Sequence, residues 1–273
     1  MLKGNKSIYQ GKSVVITGAA EGIGFALCQY FANEGAVVTI TDVNKVKLEA
    51  ALSHFSKADY KNIHFHLIDG AAIKEMKAML QEVANKTGSL DIVILNAGTT
   101  NYGGFLEYEE DQFDKIVNLN LKGAYFSAQE AAKIMIDRGT PGRLILLGSI
   151  TGIQAFPNLG AYGITKAAII HMSKSIAVEV GKFGITCNTV SPGATVTPRT
   201  LENDPNFEKN WSEVSMTPNV TMTEDIVGAV AYLASPAARQ VTGQNLIIDG
   251  GWTMMSPIPE DHPDKPEYEY KTN

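Results

Sequence analysis

Apolar residues in this chain follow two periods that alternate along its length. Short, largely apolar runs at Ser13–Thr17, 36–41, 91–95, Arg143–Leu147 and 185–190 read as strands covered on both faces. In a further run Ile63, Phe65 and Leu67 alternate with His64 and His66, the period of two that a strand gives. Between the runs the spacing lengthens to three and four. Phe25, Leu27, Cys28 and Phe31 follow the first run, a long helical pattern covers 112–136, and Ile169, Met172, Ile176 and Val180 follow the run at Arg143–Leu147. Strand then helix, repeated, predicts an α/β fold with a doubly wound parallel sheet in a single domain. The rhythm breaks at 194–222, a polar stretch punctuated by prolines, in which Trp211 and Met216 are the prominent apolar side chains. Its place after the sixth strand predicts a lid over a ligand. Residues 252–273 form a C-terminal tail, and its run at 257–266, rich in prolines and acids, cannot continue a helix or a central strand.

Composition agrees with that reading. The chain has 273 residues, 44% of them hydrophobic, enough for a sizeable core in one domain. Its formal net charge is −6, without a basic run, which argues against nucleic acid or an anionic membrane as partner. The first ten residues lack the apolar stretch of a signal peptide, and no apolar run approaches the ~20 residues that span a bilayer. A cytoplasmic protein is expected. Cys28 and Cys187 fall inside regular elements, as buried thiols do, and the histidines are dispersed, so no metal site is expected.

Two places carry candidate chemistry. Directly after the first strand come Gly18, Gly22 and Gly24, spaced G-x-x-x-G-x-G, and then a helix. Glycines let the backbone approach a pyrophosphate, and the helix N-terminus offers it free N–H groups. The second strand ends on Asp42, placed to accept the ribose hydroxyls of a dinucleotide and to repel a 2′-phosphate. Glu21 is a second acid, and Val43 supplies no cation, so both positions point to NAD. In the other place, Tyr162 and Lys166 lie four residues apart on one helix face. A nearby ammonium favours phenolate, which would let the tyrosine act as an acid-base group closer to neutral pH.

These residues resemble the short-chain dehydrogenases/reductases over about residues 8 to 251. The matching positions run in order: Thr17 with the glycine turn, Asp69, Asn96-Ala-Gly98, Asn120, Ser149 thirteen residues before Tyr162, Lys166, Asn188, Pro192-Gly193, Thr197 and Asp249-Gly-Gly251. Two departures stand out: Leu95 where the family commonly has asparagine, and Thr217-Pro-Asn-Val-Thr221 at the end of the lid. The resemblance implies a Rossmann-type NAD-binding catalytic domain over 1–251. Ser149, Tyr162, Lys166 and Asn120 would be its catalytic set, with Asn120 in a local helix distortion that holds a proton-relay water. It implies that Gly18, Glu21, Ile23, Asp42, Asp69, Asn96, Gly98, Tyr162, Lys166, Pro192, Gly193, Thr195 and Thr197 line the cofactor. Ile23 would pack near the nicotinamide, with Asn96 and Asp69 towards the adenosine.

The expected substrate walls, Thr99, Thr100, Asn101, Gln154, Asn158 and the lid with Trp211, are mainly polar and point to a sugar or polyol. A ketone reductase of more apolar or broader scope is the alternative. A non-catalytic dinucleotide sensor is the alternative from another class. The family commonly forms tetramers through the helices after Asn120 and Tyr162, so a homotetramer is expected, with the tail from Trp252 through Tyr268 and Tyr270 packed across a subunit boundary and a disordered tail as the alternative.

Overall fold

In the computed structural model, which describes residues 7–58 and 60–259, seven parallel strands form one sheet in the order β3-β2-β1-β4-β5-β6-β7. They are β1 (Ser13–Thr17), β2 (Val37–Asp42), β3 (Ile63–Leu67), β4 (Ile92–Leu95), β5 (Arg143–Leu147), β6 (Thr186–Pro192) and β7 (Asn245–Ile248). Ten α-helical segments are described: α1 (Gly22–Asn33), α2 (Lys45–Lys57), α3 (Ile73–Thr87), α4 (Glu110–Val117), α5 (Ala124–Asp137), α6 (Gly160–Val180), α7 (Pro198–Asn203), α8 (Phe207–Val214), α9 (Thr223–Ala234) and α10 (Trp252–Met255). Strand order reverses between β1 and β4, and ligand crevices of such sheets open at the carboxyl ends of the strands flanking that point.

The unbroken apolar runs are fully buried because the sheet is covered on both faces. Val14 and Ile16 of β1 enter one apolar cluster with Leu27, Phe31 and Val230, while Val15 between them enters the opposite cluster with Leu80, Met135 and Ile169. Strands β1, β4, β5 and β6 thus divide their side chains between two layers, α1 and α9 on one side, α3, α5 and α6 on the other. Cys28 and Cys187 are buried free thiols. No helix of the described residues is long and apolar enough to cross a membrane.

Two departures from the periodic reading bear on the site. The long helical pattern is interrupted by a π-helical segment, Asn118–Gly123, between α4 and α5, at the position where a distortion around Asn120 was expected. Residues 194–222 contain α7 and α8, and their base is closed by a parallel bridge between Thr195 and Thr221. A third cluster, Ile150, Trp211, Val220 and Trp252, ties this segment to the start of the tail, with the Trp252 indole N–H donating to the Pro257 carbonyl. The later tail, including Tyr268 and Tyr270, lies outside the described residues.

Candidate active site

Two adjoining cavities open at the carboxyl ends of β1, β4 and β5 and share Ile23, Asn96, Gly98 and Thr197. The first, about 390 Å³, is lined by Gly18, Glu21, Asp42 and Asp69 among others, and the second, about 310 Å³, by Ser149, Tyr162, Lys166, Pro192, Gly193 and Thr195. All thirteen positions expected along a cofactor therefore border one continuous crevice.

The first cavity is shaped to admit backbone-hugging phosphate. Gly18 has φ +62°, and a Cβ there would stand 2.7 Å from Ala97 Cα, so only glycine lets the β1 and β4 turns meet. A Cβ on Gly24 would stand 2.6 Å from the Gly18 carbonyl, which explains the third glycine. Glu21 precedes α1 without a side-chain cap, leaving the N–H groups of the first turn available to an anion. Asp42 accepts from the Ala20 and Asn44 amides at 3.1 and 2.9 Å, while the cap of α2 is Asn44. Its carboxylate is thus a fixed negative group at the far end of the crevice. These features fit a dinucleotide.

Two details depart from the sequence reading. Lys47 also lines this cavity, one turn into α2, and its Nζ is 2.6 Å from Glu21. The Asn96 amide is turned inward, donating to the Thr17 and Gly18 carbonyls at 3.0 and 2.7 Å, so its amide nitrogen props the glycine turn. Asp69 uses one oxygen to accept from the Ala71 amide and borders the first cavity.

Around the second cavity the hydroxyls converge. Ser149 follows β5 in extended conformation and heads the short turn Ile150–Gly152. Tyr162 and Lys166 come from the first turns of α6. Lys166 is buried and donates to the Leu147 carbonyl at 2.7 Å, with Nζ 5.5 Å from the Tyr162 ring centroid. Burial pulls its ammonium down to about 8. Tyr162 behaves differently from the sequence expectation. Burial pushes its phenol above the ordinary value, and the groups that oppose this are hydrogen bonds with the Ser149 and Thr100 hydroxyls and the charge of Arg199. Lys166 spends its bond on Leu147 instead.

Asn120 lies behind the cavity wall, fully buried. Its Oδ1 accepts from the Thr99 amide at 2.8 Å, and its Nδ2 donates to the Thr99 carbonyl and the Thr165 hydroxyl at 2.9 and 3.2 Å. A Cβ on Gly98 would stand 3.2 Å from Asn120 Oδ1, a tight contact, so this glycine leaves room for the Asn120 amide behind the backbone.

The substrate walls are where the sequence reading needs most correction. Thr100 and Trp211 line the second cavity, but Thr99, Asn101, Gln154 and Asn158 are not among its lining residues. Gln154 donates to the Thr253 carbonyl at 2.7 Å and so holds the tail. Asn158 adopts φ 59°, a turn conformation asparagine tolerates, and its carbonyl accepts from the Gly103 amide. In their place the wall is built from Tyr102, Ile150, Phe156, Leu159, Phe207 and Trp211, mostly apolar and drawn from four separate segments. Arg199, on the lid helix α7, donates to the Thr100 carbonyl at 3.2 Å and bridges the crevice mouth. Neither Arg199 nor Thr151, whose hydroxyl donates to Ser149 Oγ at 2.9 Å, was picked out in the sequence.

Comparison with known proteins gives a consistent picture. A family model described as enoyl-(acyl carrier protein) reductase matches residues 18–253. The chain is 32% identical over 255 residues to the 7alpha-hydroxysteroid dehydrogenase of Bacteroides fragilis, covering 91% of this chain and 97% of that one. It is 35% identical over 247 residues to the 3-oxoacyl-(acyl-carrier-protein) reductase FabG of Rickettsia conorii, with 90% and 98% covered. Among solved structures, a gluconate 5-dehydrogenase from Burkholderia cenocepacia, in complex with NADP and tartrate, aligns with TM-score 0.82 at 28% identity over 91% of this chain and 98% of that chain.

Proposed function

The chain belongs to the short-chain dehydrogenase/reductase family of oxidoreductases, and from that premise we propose that it transfers hydride between NAD and the carbinol carbon of a secondary alcohol with a largely apolar body. The observation that carries this reading is the meeting of the Ser149, Thr100 and Tyr162 hydroxyls under a wall of Phe156, Leu159, Phe207 and Trp211. When bound, the cofactor supplies the hydride acceptor. Tyr162 takes the hydroxyl proton of the alcohol, or returns it to the nascent alkoxide in the reverse direction. Ser149 holds the substrate oxygen within reach of Tyr162. Lys166 adds positive charge beside the phenol, and Asn120 ties the π-helical segment to the Thr99 backbone and to α6 behind it. Gly18, Glu21, Ile23, Asp42, Asp69, Asn96, Gly98, Pro192, Gly193, Thr195 and Thr197 line the cofactor, with 194–222 as lid.

Asp42 supports NAD over NADP, because a 2′-phosphate would meet its fixed carboxylate, and Lys47 is already engaged by Glu21. The apolar wall favours a ketone or alcohol of apolar scope over the sugar or polyol that polar loops had suggested. Exposed Phe105 and Leu106, together with Ile164 and Val178 on the outer side of α6, support assembly with further copies of the chain.

Initial rates with NAD and NADP on a panel of cyclic apolar alcohols, polyols and sugar acids test the reading. At least tenfold higher kcat/KM on the apolar alcohols is expected. Preference for polyols would restore the sugar reading, and no turnover of any alcohol or ketone with either cofactor would favour a dinucleotide sensor.

A further inference from the structure

Two hydrogen bonds run into Ser149 Oγ from one neighbour: the Thr151 amide donates at 3.2 Å and the Thr151 hydroxyl at 2.9 Å. A serine hydroxyl has two acceptor lone pairs and one proton. With both lone pairs occupied, only the proton remains to bond, and it has the Tyr162 phenol and the cavity before it. Thr151 itself is clamped. The turn Ile150–Gly152 packs so tightly on α6 that a Cβ on Gly152 would stand 2.6 Å from the Lys166 carbonyl carbon, and one on Gly163 would stand 2.8 Å from the Thr151 carbonyl oxygen. The donor pair on Thr151 is therefore fixed relative to both Tyr162 and Lys166.

We propose that Thr151 is a positioning residue that polarises Ser149, holding it as a hydrogen-bond donor towards the Tyr162 oxygen and the substrate oxygen. An unrestrained serine hydroxyl can donate or accept, and each time it accepts from Tyr162 it holds the proton on the phenol. With Thr151 in place that orientation is closed, and Ser149 stabilises phenolate and alkoxide, the charged forms on the two sides of the proton transfer. The role rests on the reading of Tyr162 as proton carrier, but its effect on the phenol is measurable without turnover.

Thr151→Val keeps the branched shape and the amide while removing the hydroxyl donor; Thr151→Ser keeps the donor and drops the methyl. With tyrosine labelled at 13Cζ and the Tyr162 signal assigned by its loss in Tyr162→Phe, the phenol of Thr151→Val should titrate roughly one unit higher, a tenfold change in its proton affinity. kcat/KM for alcohol oxidation should fall about tenfold, its acid limb moving to higher pH, and Thr151→Ser should restore both to within about twofold. Should Thr151→Val fail to fold, Thr151→Ala against Thr151→Ser makes the same comparison. An unmoved phenol titration overturns the proposal, as does a Thr151→Ser protein as impaired as Thr151→Val, which would assign the effect to packing of the methyl. If the wild-type protein turns over no alcohol, the proposed function fails, while the phenol titration still decides the role of Thr151.

Discussion

Replacing Lys166 by methionine isolates the cost of holding a charge in the active-site wall. Burial brings its ammonium down to about 8 from an ordinary 10.5. At about 1.4 kcal/mol per unit, keeping it charged at neutral pH costs the fold about 3 kcal/mol. Because the folded-state value lies below the unfolded one, that cost is complete below pH 8 and disappears as pH rises to 10.5. Methionine removes the charge at similar length but leaves the Leu147 carbonyl without its donor, a loss of about 1–3 kcal/mol. The two effects nearly offset at pH 7, so the pH dependence is the sharper observable. Between pH 7 and 9.5 the wild-type protein should gain about 2 kcal/mol relative to Lys166→Met, since titrations shared by both proteins cancel in the difference. Urea unfolding followed by tryptophan fluorescence at the two pH values reads it directly. A difference that stays flat would refute a buried, pKa-depressed Lys166. Turnover should be lost in the variant at every pH, separating what this lysine does for chemistry from what it does to stability.

Three further outcomes follow from the same geometry. Asp42→Ala with Val43→Arg should shift the kcat/KM ratio from NAD towards NADP by at least tenfold, because it removes the fixed carboxylate and adds a phosphate partner; equal wild-type ratios for the two cofactors would contradict the role given to Asp42. Trp252→Ala should cost about 3–5 kcal/mol in urea unfolding and raise the substrate KM, since Trp252 packs on Trp211 of the lid wall; a loss under about 1 kcal/mol would show that this cluster is not an anchor. With the Tyr162 phenol pushed above its ordinary value, ketone reduction should persist at neutral pH while alcohol oxidation climbs on the alkaline side; an oxidation optimum below pH 7 in rate-pH profiles would contradict that protonation state.

The parallel sheet was legible because its strands are buried on both faces and their runs are unbroken; Val14, Val15 and Ile16 need no alternation when each side meets a helical layer. The glycine turn was legible for a related reason: Gly18 and Gly24 stand where any Cβ would collide. The substrate wall was not legible. Phe156 and Leu159 sit in the same loop as Gln154 and Asn158 and meet Phe207 and Trp211, about 50 residues on, only once the lid is folded; the sequence does not show that the apolar members of that loop face the cavity while its polar members serve the fold, Gln154 on the tail and Asn158 in a turn. The lid helices were obscured by prolines and polar residues, although Thr197 before Pro198 is a helix-start signal, and the capping box with Thr200 bears it out. The π-helical segment keeps an apolar pattern close to that of a helix, so periodicity does not reveal it and the distortion around Asn120 was legible only through the family resemblance. Thr151 escaped notice because a threonine two residues from a serine is ordinary, and its meaning lies in the direction of a hydrogen bond.

The central claim is that the Tyr162 phenol carries the proton, and Tyr162→Phe tests it with the ring retained and only the oxygen removed. Single-turnover hydride transfer, followed by NADH absorbance with the best alcohol of the panel, should fall at least a thousandfold while NAD binding by calorimetry stays within about threefold of the wild-type protein. A variant that kept more than a few per cent of the wild-type rate would place the acid-base group elsewhere and contradict the account.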